Sequence, residues 1–424
     1  MKRIFTLAVM LLVGGVVLQG QEFKMDPGME AALRENLSRA ANNHYPYEHG
    51  DLRETPAPKG YKPFYISHYG RHGSRSSWGG DSYRYVISAL GKADSLGILN
   101  PAGREALEEA REVLAAWDGM DGRLSQRGVR EHAQIAWRLA KRYPKLFKGS
   151  PCIRSIASTV QRSIISMVSF TNTLSAVNPK IKWTFDTGEQ FMKYIGDTGT
   201  RSPKAKELMQ PLRDHFFDAP IDSCYVLGTL FTDPEAARGI ISNLGHFNYA
   251  LFNTAEIAEC WDIEEHILPS MQFEMVYKFC SMGGHDLFTK NGNCIEIGDG
   301  RFAAGSLLAN DIIAKADEAI AGGQYVADLR FGHDYPIHYL VSYMGLEGPG
   351  SKLHFDEVDS GWWGWKELCM ASNLEMIFYR NKAGHVIVKC LYQEEEKLLR
   401  GLESFSGPYY DWNTLKANFA GYSR

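Results

Sequence analysis

The sequence predicts an α/β fold with a ligand site at the ends of two strands. Residues 64–66 (Phe-Tyr-Ile) are strand-forming types, and they run into a glycine-flexed turn that contains Arg71, His72 and Arg75. Residues 324–331 (QYVADLRF) alternate as a strand does, and Gly-His-Asp follows them at 332–334. Because ligands bind at the carboxyl ends of strands in open α/β sheets, we expect the two turns to face one another.

The N-terminus has the pattern of a secretory signal peptide. Lys2 and Arg3 precede an apolar run over residues 4–18, and the chain turns polar around Gly20. The run is short for a transmembrane span. We therefore expect residues 1–20 to be removed by cleavage near Gly20 and the mature protein to be secreted or periplasmic, with no stable membrane insertion. An uncleaved N-terminal anchor is the alternative.

Length and composition indicate a large globular protein. The 424 residues exceed what one core usually serves, so we expect one large domain with a second one inserted or appended. A net charge of −4 gives no general affinity for nucleic acid or anionic membranes. The seven cysteines show no metal-ligand spacing such as C-x-x-C, so they are expected in the core or in disulfides. Their odd number leaves at least one free.

The remaining elements follow from hydrophobic periodicity and turn residues. Residues 21–60 form an irregular lead-in, and residues 190–300 form a mainly helical insertion that ends in a Gly/Asn-rich loop from 283. A hairpin is expected over 374–392, around Asn381 and Gly384. Ser125 is a plausible N-cap for the helix at 124–143. The predicted helices are 81–96, 103–117, 124–143, 159–177, 204–217, 233–260, 264–282, 302–322 and 337–346, and further strands are 152–155 and 181–185.

The first turn has the chemistry of an anion site. Gly70 and Gly73 let the backbone approach a ligand closely, and the guanidinium groups of Arg71 and Arg75 match the oxygen geometry of phosphate. An imidazole among fixed positive charges loses its proton readily, so His72 can be a nucleophile near neutral pH. A solvated basic turn is the alternative interpretation for Arg and His residues in a loop.

The order Arg-His-Gly-x-Arg directly after an apolar strand resembles the signature of the histidine acid phosphatases, which include phytases and multiple inositol polyphosphate phosphatases. The Leu-Ser-x-x-Gly start of the 124–143 helix and the His333-Asp334 pair resemble two further segments of that family. Ser76 and Ser77 stand where the family usually continues to a proline. A turn that lacks this proline is closer to the polyphosphatase branch. The His-Asp pair is closer to the phytase and acid phosphatase branch.

The resemblance implies a domain arrangement. Residues 21–189 and 301–424 would form a three-layer α/β sandwich domain around a central mixed, mostly parallel sheet. Residues 190–300 would form the smaller helical domain that shapes substrate choice. The two strand-end turns would then belong to one site.

The resemblance also implies roles for six residues. His72 would be the nucleophile that forms a phosphohistidine, and Asp334 the proton donor to the leaving alcohol. The phosphate would be bound by Arg71, Arg75, Arg162 and His333. Neither a metal nor another cofactor is required, since the arginines supply the positive charge.

Several other residues have competing interpretations. Arg162, in the first turn of its helix, is either a surface charge or a phosphate contact, and we expect the contact. Arg154 is expected to support the structure, and His68 to be a strand residue with a satisfied hydrogen bond. His132 is expected at the surface or behind the site rather than in catalysis. Tryptophans 362, 363 and 365 fit either a core or a substrate rim.

The predicted function is a secreted phosphomonoesterase that acts on inositol polyphosphates such as phytate. Four cations cluster within fourteen residues: Lys193, Arg201, Lys204 and Lys206. Together with Arg84, this cluster favours a polyanionic substrate. The alternatives are a broad-specificity acid phosphatase on sugar phosphates, a mutase of the same superfamily, and a phosphate-binding protein without turnover. The expected partner is a small-molecule phosphate monoester, without nucleic acid, and the sequence carries no signal of an oligomeric state.

Overall fold

The computed structural model describes residues 24–49, 52–196, 202–215, 222–298 and 302–421. The predicted signal peptide and Arg201 lie outside these ranges. No helix within them is long and apolar enough to span a membrane.

A mixed sheet with a parallel core organises the fold. In the described residues its strand order is β10-β8-β7-β1-β5-β2-β3, with β9 paired to β8. The strands β1, β5, β2 and β3 run parallel, and β7, β8 and β10 extend the sheet antiparallel from β1. The strands are β1 (Lys62–Arg71), β2 (Cys152–Ala157), β3 (Lys182–Thr187), β4 (Asn293–Cys294), β5 (Tyr325–Gly332), β6 (Lys352–Leu353), β7 (Asn373–Arg380), β8 (Val386–Tyr392), β9 (Glu395–Glu396) and β10 (Tyr409–Asp411).

Helices cover both faces of the sheet, which gives the expected three layers. The α-helices are α1 (Pro27–Glu35), α2 (Asp81–Ser95), α3 (Pro101–Trp117), α4 (Gln126–Arg142), α5 (Gln161–Val177), α6 (Glu189–Ile195), α7 (Pro203–His215), α8 (Tyr225–Leu230), α9 (Pro234–Arg238), α10 (Leu244–Ala255), α11 (Ile267–Ser270), α12 (Phe273–Asn291), α13 (Phe302–Ile320), α14 (Asp334–Met344), α15 (Val358–Gly361), α16 (Gly364–Glu367) and α17 (Trp412–Gly421). In the part of the chain that the structure describes, 3-10 helices cover Leu37–His44, Ala258–Trp261 and Phe355–Glu357.

Alternation along β1 builds a core on each side of the sheet. Ile66 points into the cluster that contains α4 and α5 residues. Tyr65 and Tyr69 point into the opposite cluster, with residues of α13 and α14. The sheet is thus buried on both faces, as a parallel core requires.

The helical segment between β3 and α13 does not stand alone. Helix α10 packs against α2 and α3, and α12 packs against the 3-10 helix Leu37–His44. Helices of the segment 190–300 therefore pack against helices from the N-terminal part of the chain.

Two predicted helices are wrong as continuous elements. The stretch 233–260 is divided because Asn243 ends the turn after α9 and caps α10, accepting from the His246 N–H at 2.9 Å. The stretch 264–282 is divided into α11 and α12. The predicted loop from 283 is also wrong, because α12 continues to Asn291. A Cβ at Gly283 would lie 2.8 Å from Asn42 Nδ2, so this glycine permits close helix packing.

None of the seven cysteines forms a disulfide, and five of them are buried. The core interpretation therefore holds for those five.

Candidate active site

The strand ends bring the two predicted turns together. The His72 N–H donates to Gly332 O at 2.9 Å, and the His72 carbonyl accepts from the Ala371 N–H at 3.0 Å. The Arg71 N–H donates to Ser372 O at 2.9 Å. Main-chain hydrogen bonds thus fix the turn after β1 between the end of β5 and the start of β7.

The contacts of His72 leave one ring nitrogen available for attack. Nδ1 lies 3.0 Å from Gly73 O. Since a carbonyl can only accept, Nδ1 carries the hydrogen and Nε2 carries the lone pair. Burial, followed by the charges of Arg162, Arg71 and Arg75, holds the pKa of His72 well below its ordinary value. The imidazole is therefore neutral near neutral pH, which is the form that a nucleophile needs.

A buried carboxylate positions this turn. Glu131 of α4 accepts hydrogen bonds from the Ser74 N–H (2.8 Å), the Ser74 hydroxyl (2.6 Å) and the Tyr47 N–H (3.1 Å). A Cβ at Gly73 would lie 2.6 Å from Gly128 O, so the turn needs glycine to approach α4 this closely. Glu131 was not predicted as a site residue, although it lies one helical turn after Gly128 and so on the same face.

Arg71 and Arg75 are buried cations that reach the site from β1 and the turn. Arg71 donates to Asn43 O at 2.6 Å and Leu368 O at 2.8 Å, and pairs with Asp334 Oδ2 at 3.3 Å. Arg75 donates to Ser76 O at 2.7 Å. Within the described residues, the Nε atoms of Arg71 and Arg75 are buried without a hydrogen-bond partner. Burial and then the charge of Arg71 lower the pKa of Arg75, so an anion bound here would relieve an electrostatic cost.

Arg162 of α5 joins the same cluster and is buried, so its interpretation as a surface charge is wrong. Its Nη2 donates to His333 Nδ1 at 3.2 Å. His333 Nδ1 is therefore an acceptor, and its Nε2–H donates to Ser158 Oγ at 3.0 Å. The rings of His72 and His333 lie 5.6 Å apart between centroids. A phosphate contact from His333 would have to replace its bond to Ser158.

Asp334 lies at the start of α14, directly after His333. Its Oδ2 accepts from Asn43 Nδ2 at 2.8 Å as well as from Arg71, and its Oδ1 accepts from the Tyr335 N–H at 3.0 Å. Burial raises the pKa of this carboxyl, but Arg71 and Arg75 outweigh burial and bring the pKa down to about 2. A phosphate dianion that offsets these two charges would raise the pKa again.

Three further residues at the site escaped the sequence analysis. Asn43 and His44 lie at the end of the 3-10 helix Leu37–His44, and His44 Nε2 accepts from Arg75 Nη2 at 3.2 Å. Trp78 is 58% exposed. The guanidinium carbons of Arg75 and Arg162 lie 5.5 Å and 4.7 Å from the Trp78 ring centroid. One aromatic ring therefore contacts two of the predicted phosphate-binding arginines.

The expectations for three other residues have different outcomes. Arg154 bonds Asp328 and Glu318, as a supporting residue would. The expected hydrogen bond of His68 is wrong: within the described residues its ring nitrogens have no hydrogen-bond partner, and burial lowers its pKa to about 3. His132 is fully buried, which excludes the surface position.

Trp362 and Trp365 are core residues and Trp363 packs against the core, so the core interpretation holds for all three. Trp362 is a core residue stacked on His338, with ring centroids 5.0 Å apart. Trp363 and Trp365 stack on each other and line a separate cavity of about 440 Å³. That cavity does not contain the predicted site residues.

The described residues of the basic cluster lie on two exposed helices, of which α6 contacts the segment next to the site. Lys193 is exposed on α6, whose Met192 sulfur contacts the Thr159 N–H at 3.4 Å, next to Ser158. Lys204 and Lys206 are exposed on α7, and Lys204 pairs with Glu207 at 2.8 Å. Arg84 pairs with Asp81 on α2.

Solved structures show the same fold. The chain superposes on the multiple inositol polyphosphate phosphatase of Bifidobacterium longum in complex with phosphate, with a TM-score of 0.74 and 16% identity over 90% of this chain and 97% of that one. It superposes on the phytase from D. castellii with a TM-score of 0.71 and 13% identity, over 92% and 86% of the two chains. For the phytase of Klebsiella sp ASR1 the TM-score is 0.51 and the identity 13%, over 85% and 96%. No protein-family model and no curated protein sequence matches the chain.

Proposed function

We propose that this chain is a histidine acid phosphatase that hydrolyses phosphate monoesters through a phosphohistidine. The observation that carries the proposal is the arrangement around His72: a neutral imidazole with Nε2 available, three buried arginines beside it, and a carboxyl at the next strand end. The fold shared with a polyphosphate phosphatase and phytases supports it.

In the first step, His72 Nε2 attacks phosphorus, so that an N–P bond forms while the P–O bond to the alcohol breaks. Arg71, Arg75 and Arg162 hold the non-bridging oxygens and offset the charge that develops on them in the transition state. Such preorganised cations need no reorganisation during the reaction, because main-chain carbonyls and neighbouring side chains already fix Arg71 and Arg75.

Asp334 gives its proton to the leaving oxygen, since an alkoxide is a poor leaving group. The carboxyl must therefore be protonated in the substrate complex, although its pKa is about 2 in the structure described here. Arg71 and Arg75 lower that pKa, and these two arginines would bind the substrate phosphate. Substrate binding thus itself promotes protonation of the acid.

In the second step, water attacks the phosphohistidine. The Asp334 carboxylate, having lost its proton, accepts one from the water. The N–P bond breaks, the imidazole returns to its neutral form with the hydrogen on Nδ1, and inorganic phosphate leaves. The bond from Nδ1 to Gly73 O keeps Nε2 facing the phosphorus in both steps.

We propose inositol polyphosphates as the substrate class. Once the arginines hold the scissile group, the remaining phosphates of such a substrate need further cations. The exposed lysines at 193, 204 and 206 would supply them, and the helix of Lys193 contacts Thr159 next to Ser158. The names of the solved neighbours, an inositol polyphosphate phosphatase and phytases, agree with this class. We propose that the reaction takes place in the periplasm or outside the cell, as the predicted signal peptide indicates.

A phosphate-release panel tests the proposed function. Phytate, sugar phosphates, nucleotides and p-nitrophenyl phosphate are compared, with release into water separated from transfer to a second sugar. If none of these substrates is hydrolysed, the chain is a phosphate-binding protein without turnover. If phosphate is transferred to a second sugar, the chain is a mutase. Equal rates on sugar phosphates and none on phytate would leave a broad-specificity acid phosphatase.

A charge-matched pair of triple variants tests the substrate class. Replacing Lys193, Lys204 and Lys206 by serine should raise KM for phytate far more than for p-nitrophenyl phosphate, and added salt should have the same effect. The control replaces three exposed lysines at the starts of β1 and β2, the ends opposite to the site: Lys59, Lys62 and Lys148. It should change KM for neither substrate. An equal response of both substrates to the first variant would contradict the assignment.

A further inference from the structure

The loop between α3 and α4 borders the candidate active site. The Gly122 N–H donates to Ser77 O at 2.9 Å, and the carbonyl of the next residue, Arg123, accepts from the Ser76 N–H at 2.8 Å. These two main-chain bonds join the loop to the turn after β1. A Cβ at Gly122 would lie 3.2 Å from Arg162 Nη1, so the loop also contacts a proposed phosphate-binding arginine. Arg123 is therefore placed at the edge of the site.

The side chain of Arg123 is a half-buried cation whose donors face no acceptor within the described residues. It makes neither a hydrogen bond nor an ion pair there, and its guanidinium carbon lies 5.4 Å from the Trp261 ring centroid. By contrast, Arg130 in the second turn of α4 is exposed and pairs with Asp262 at 2.5 Å. The N–H groups of Arg123 are thus available to an anionic ligand.

Trp261 holds this cation beside the site without neutralising it. It ends the 3-10 helix Ala258–Trp261, in which the Cys260 thiol donates to His44 O at 3.1 Å. His44 in turn accepts a hydrogen bond from Arg75. A guanidinium over an aromatic ring is attracted to the ring face and keeps its N–H groups free. The cation is therefore oriented by a segment that itself contacts the residues around Arg75.

We propose that Arg123 binds a second, non-scissile phosphate of an inositol polyphosphate, an inference that rests on the proposed function. The phosphates of such a substrate lie on neighbouring carbons of one ring, so the phosphate held for cleavage brings others to the edge of the site. Arg71, Arg75 and Arg162 are committed to the scissile group. The guanidinium of Arg123 offers paired N–H groups that match two oxygens of one phosphate. A substrate with a single phosphate has no group to place there.

Steady-state kinetics of Arg123→Gln test the proposal. Losing a charge-assisted contact should raise KM for phytate by about tenfold or more, and by far more than KM for p-nitrophenyl phosphate. Arg130→Gln is the matched control: it removes the same charge nearby, since its partner Asp262 directly follows Trp261 in the chain. This control should raise KM for phytate much less than Arg123→Gln does. Equal effects of the two variants would mean that only the general positive field acts on the substrate, which would overturn the proposal.

Binding of inositol hexasulfate, measured by calorimetry, gives a readout that needs no turnover. Arg123→Gln should weaken this binding by about tenfold or more, whereas the affinity for inorganic phosphate should change far less. A wild type that hydrolyses none of the phosphate esters would refute the proposed function. Hydrolysis of p-nitrophenyl phosphate by Arg123→Gln, together with a wild-type KM for phytate and a wild-type affinity for the hexasulfate, would refute this subsite alone.

Discussion

Asp334→Asn should separate substrates by their leaving group. The asparagine cannot give a proton, but its single amide oxygen can take the place of Oδ2 and keep the bonds from Asn43 and Arg71. The main-chain bond from the Tyr335 N–H to Oδ1 is then lost. An alkyl phosphate needs the proton because its alkoxide leaves poorly. A p-nitrophenyl phosphate does not, because the nitrophenolate is a stable anion.

Asp334→Asn makes two changes that set the size of the rate loss: it removes the general acid, and it removes the negative charge that pairs with Arg71. Loss of general acid catalysis costs about 10²–10⁴ in rate, or roughly 3–5 kcal/mol of transition-state stabilisation, for the alkyl substrate alone. Loss of a charged hydrogen bond to Arg71 weakens the positioning of the phosphate and acts on both substrates alike. The ratio of the two losses therefore isolates the proton transfer, and it should be about 10²-fold or more.

The assay measures single-turnover phosphorylation rates with phytate and with p-nitrophenyl phosphate. Asn43→Ala is the matched control, because it removes the 2.8 Å hydrogen bond to Asp334 and keeps the carboxyl. The control keeps the proton donor, so it should not lower the phytate rate more than the p-nitrophenyl phosphate rate. Equal losses for both substrates in Asp334→Asn would refute the assignment of Asp334 as the proton donor, and another carboxyl would have to be sought.

Three further predictions concern the groups around the phosphate. His333→Ala should lower kcat/KM for aryl and alkyl phosphates by the same factor, since a phosphate contact does not depend on the leaving group; a substrate-dependent loss would contradict this role. Trp78→Ala removes contacts to both Arg75 and Arg162, worth about 0.5–2 kcal/mol, so kcat/KM should fall a few-fold to about 30-fold on every substrate. Trp78→Phe should recover most of it, and an unchanged Trp78→Ala enzyme would show that the ring positions neither arginine. Arg162→Gln removes a positive charge beside His72, which favours the protonated imidazole, so the pKa of His72 should rise; an NMR titration of the imidazole should show this rise, and Arg162→Lys should prevent it. A pKa of His72 that does not rise in Arg162→Gln would mean that the charge of Arg162 does not lower it.

The strands and turns that carry the chemistry were predictable because their signals are local. A β-rich run followed by glycine and charged residues marks the ends of β1 and β5, and the rule for parallel sheets brings such ends together. The long amphipathic pattern of α4 was equally clear. His72, Asp334 and the three arginines meet in the structure for these reasons.

The residues that were missed depend on tertiary contacts. Asn43 reaches Asp334 from a 3-10 helix in a segment without periodicity, and nothing near it in the sequence marks that contact. Trp78 contacts Arg75 and Arg162, which belong to different elements, so its place at the site depends on how these elements pack. Gly283 resembles a loop glycine in the sequence, yet it lies inside α12 because Asn42 packs against it. Local propensity cannot distinguish a glycine in a turn from one required by close packing.

Trapping the phosphoenzyme tests the central claim most directly. Radiolabelled p-nitrophenyl phosphate is mixed with the enzyme, and the reaction is stopped within a turnover by denaturation in alkali. A phosphohistidine keeps its label in alkali and loses it in acid, because protonation of the imidazole makes it a good leaving group. We expect alkali-stable, acid-labile label on the wild type and none on a folded His72→Ala variant, which should also lack turnover. Turnover without any trapped label, label that alkali removes, or label that persists in His72→Ala would contradict the covalent role of His72.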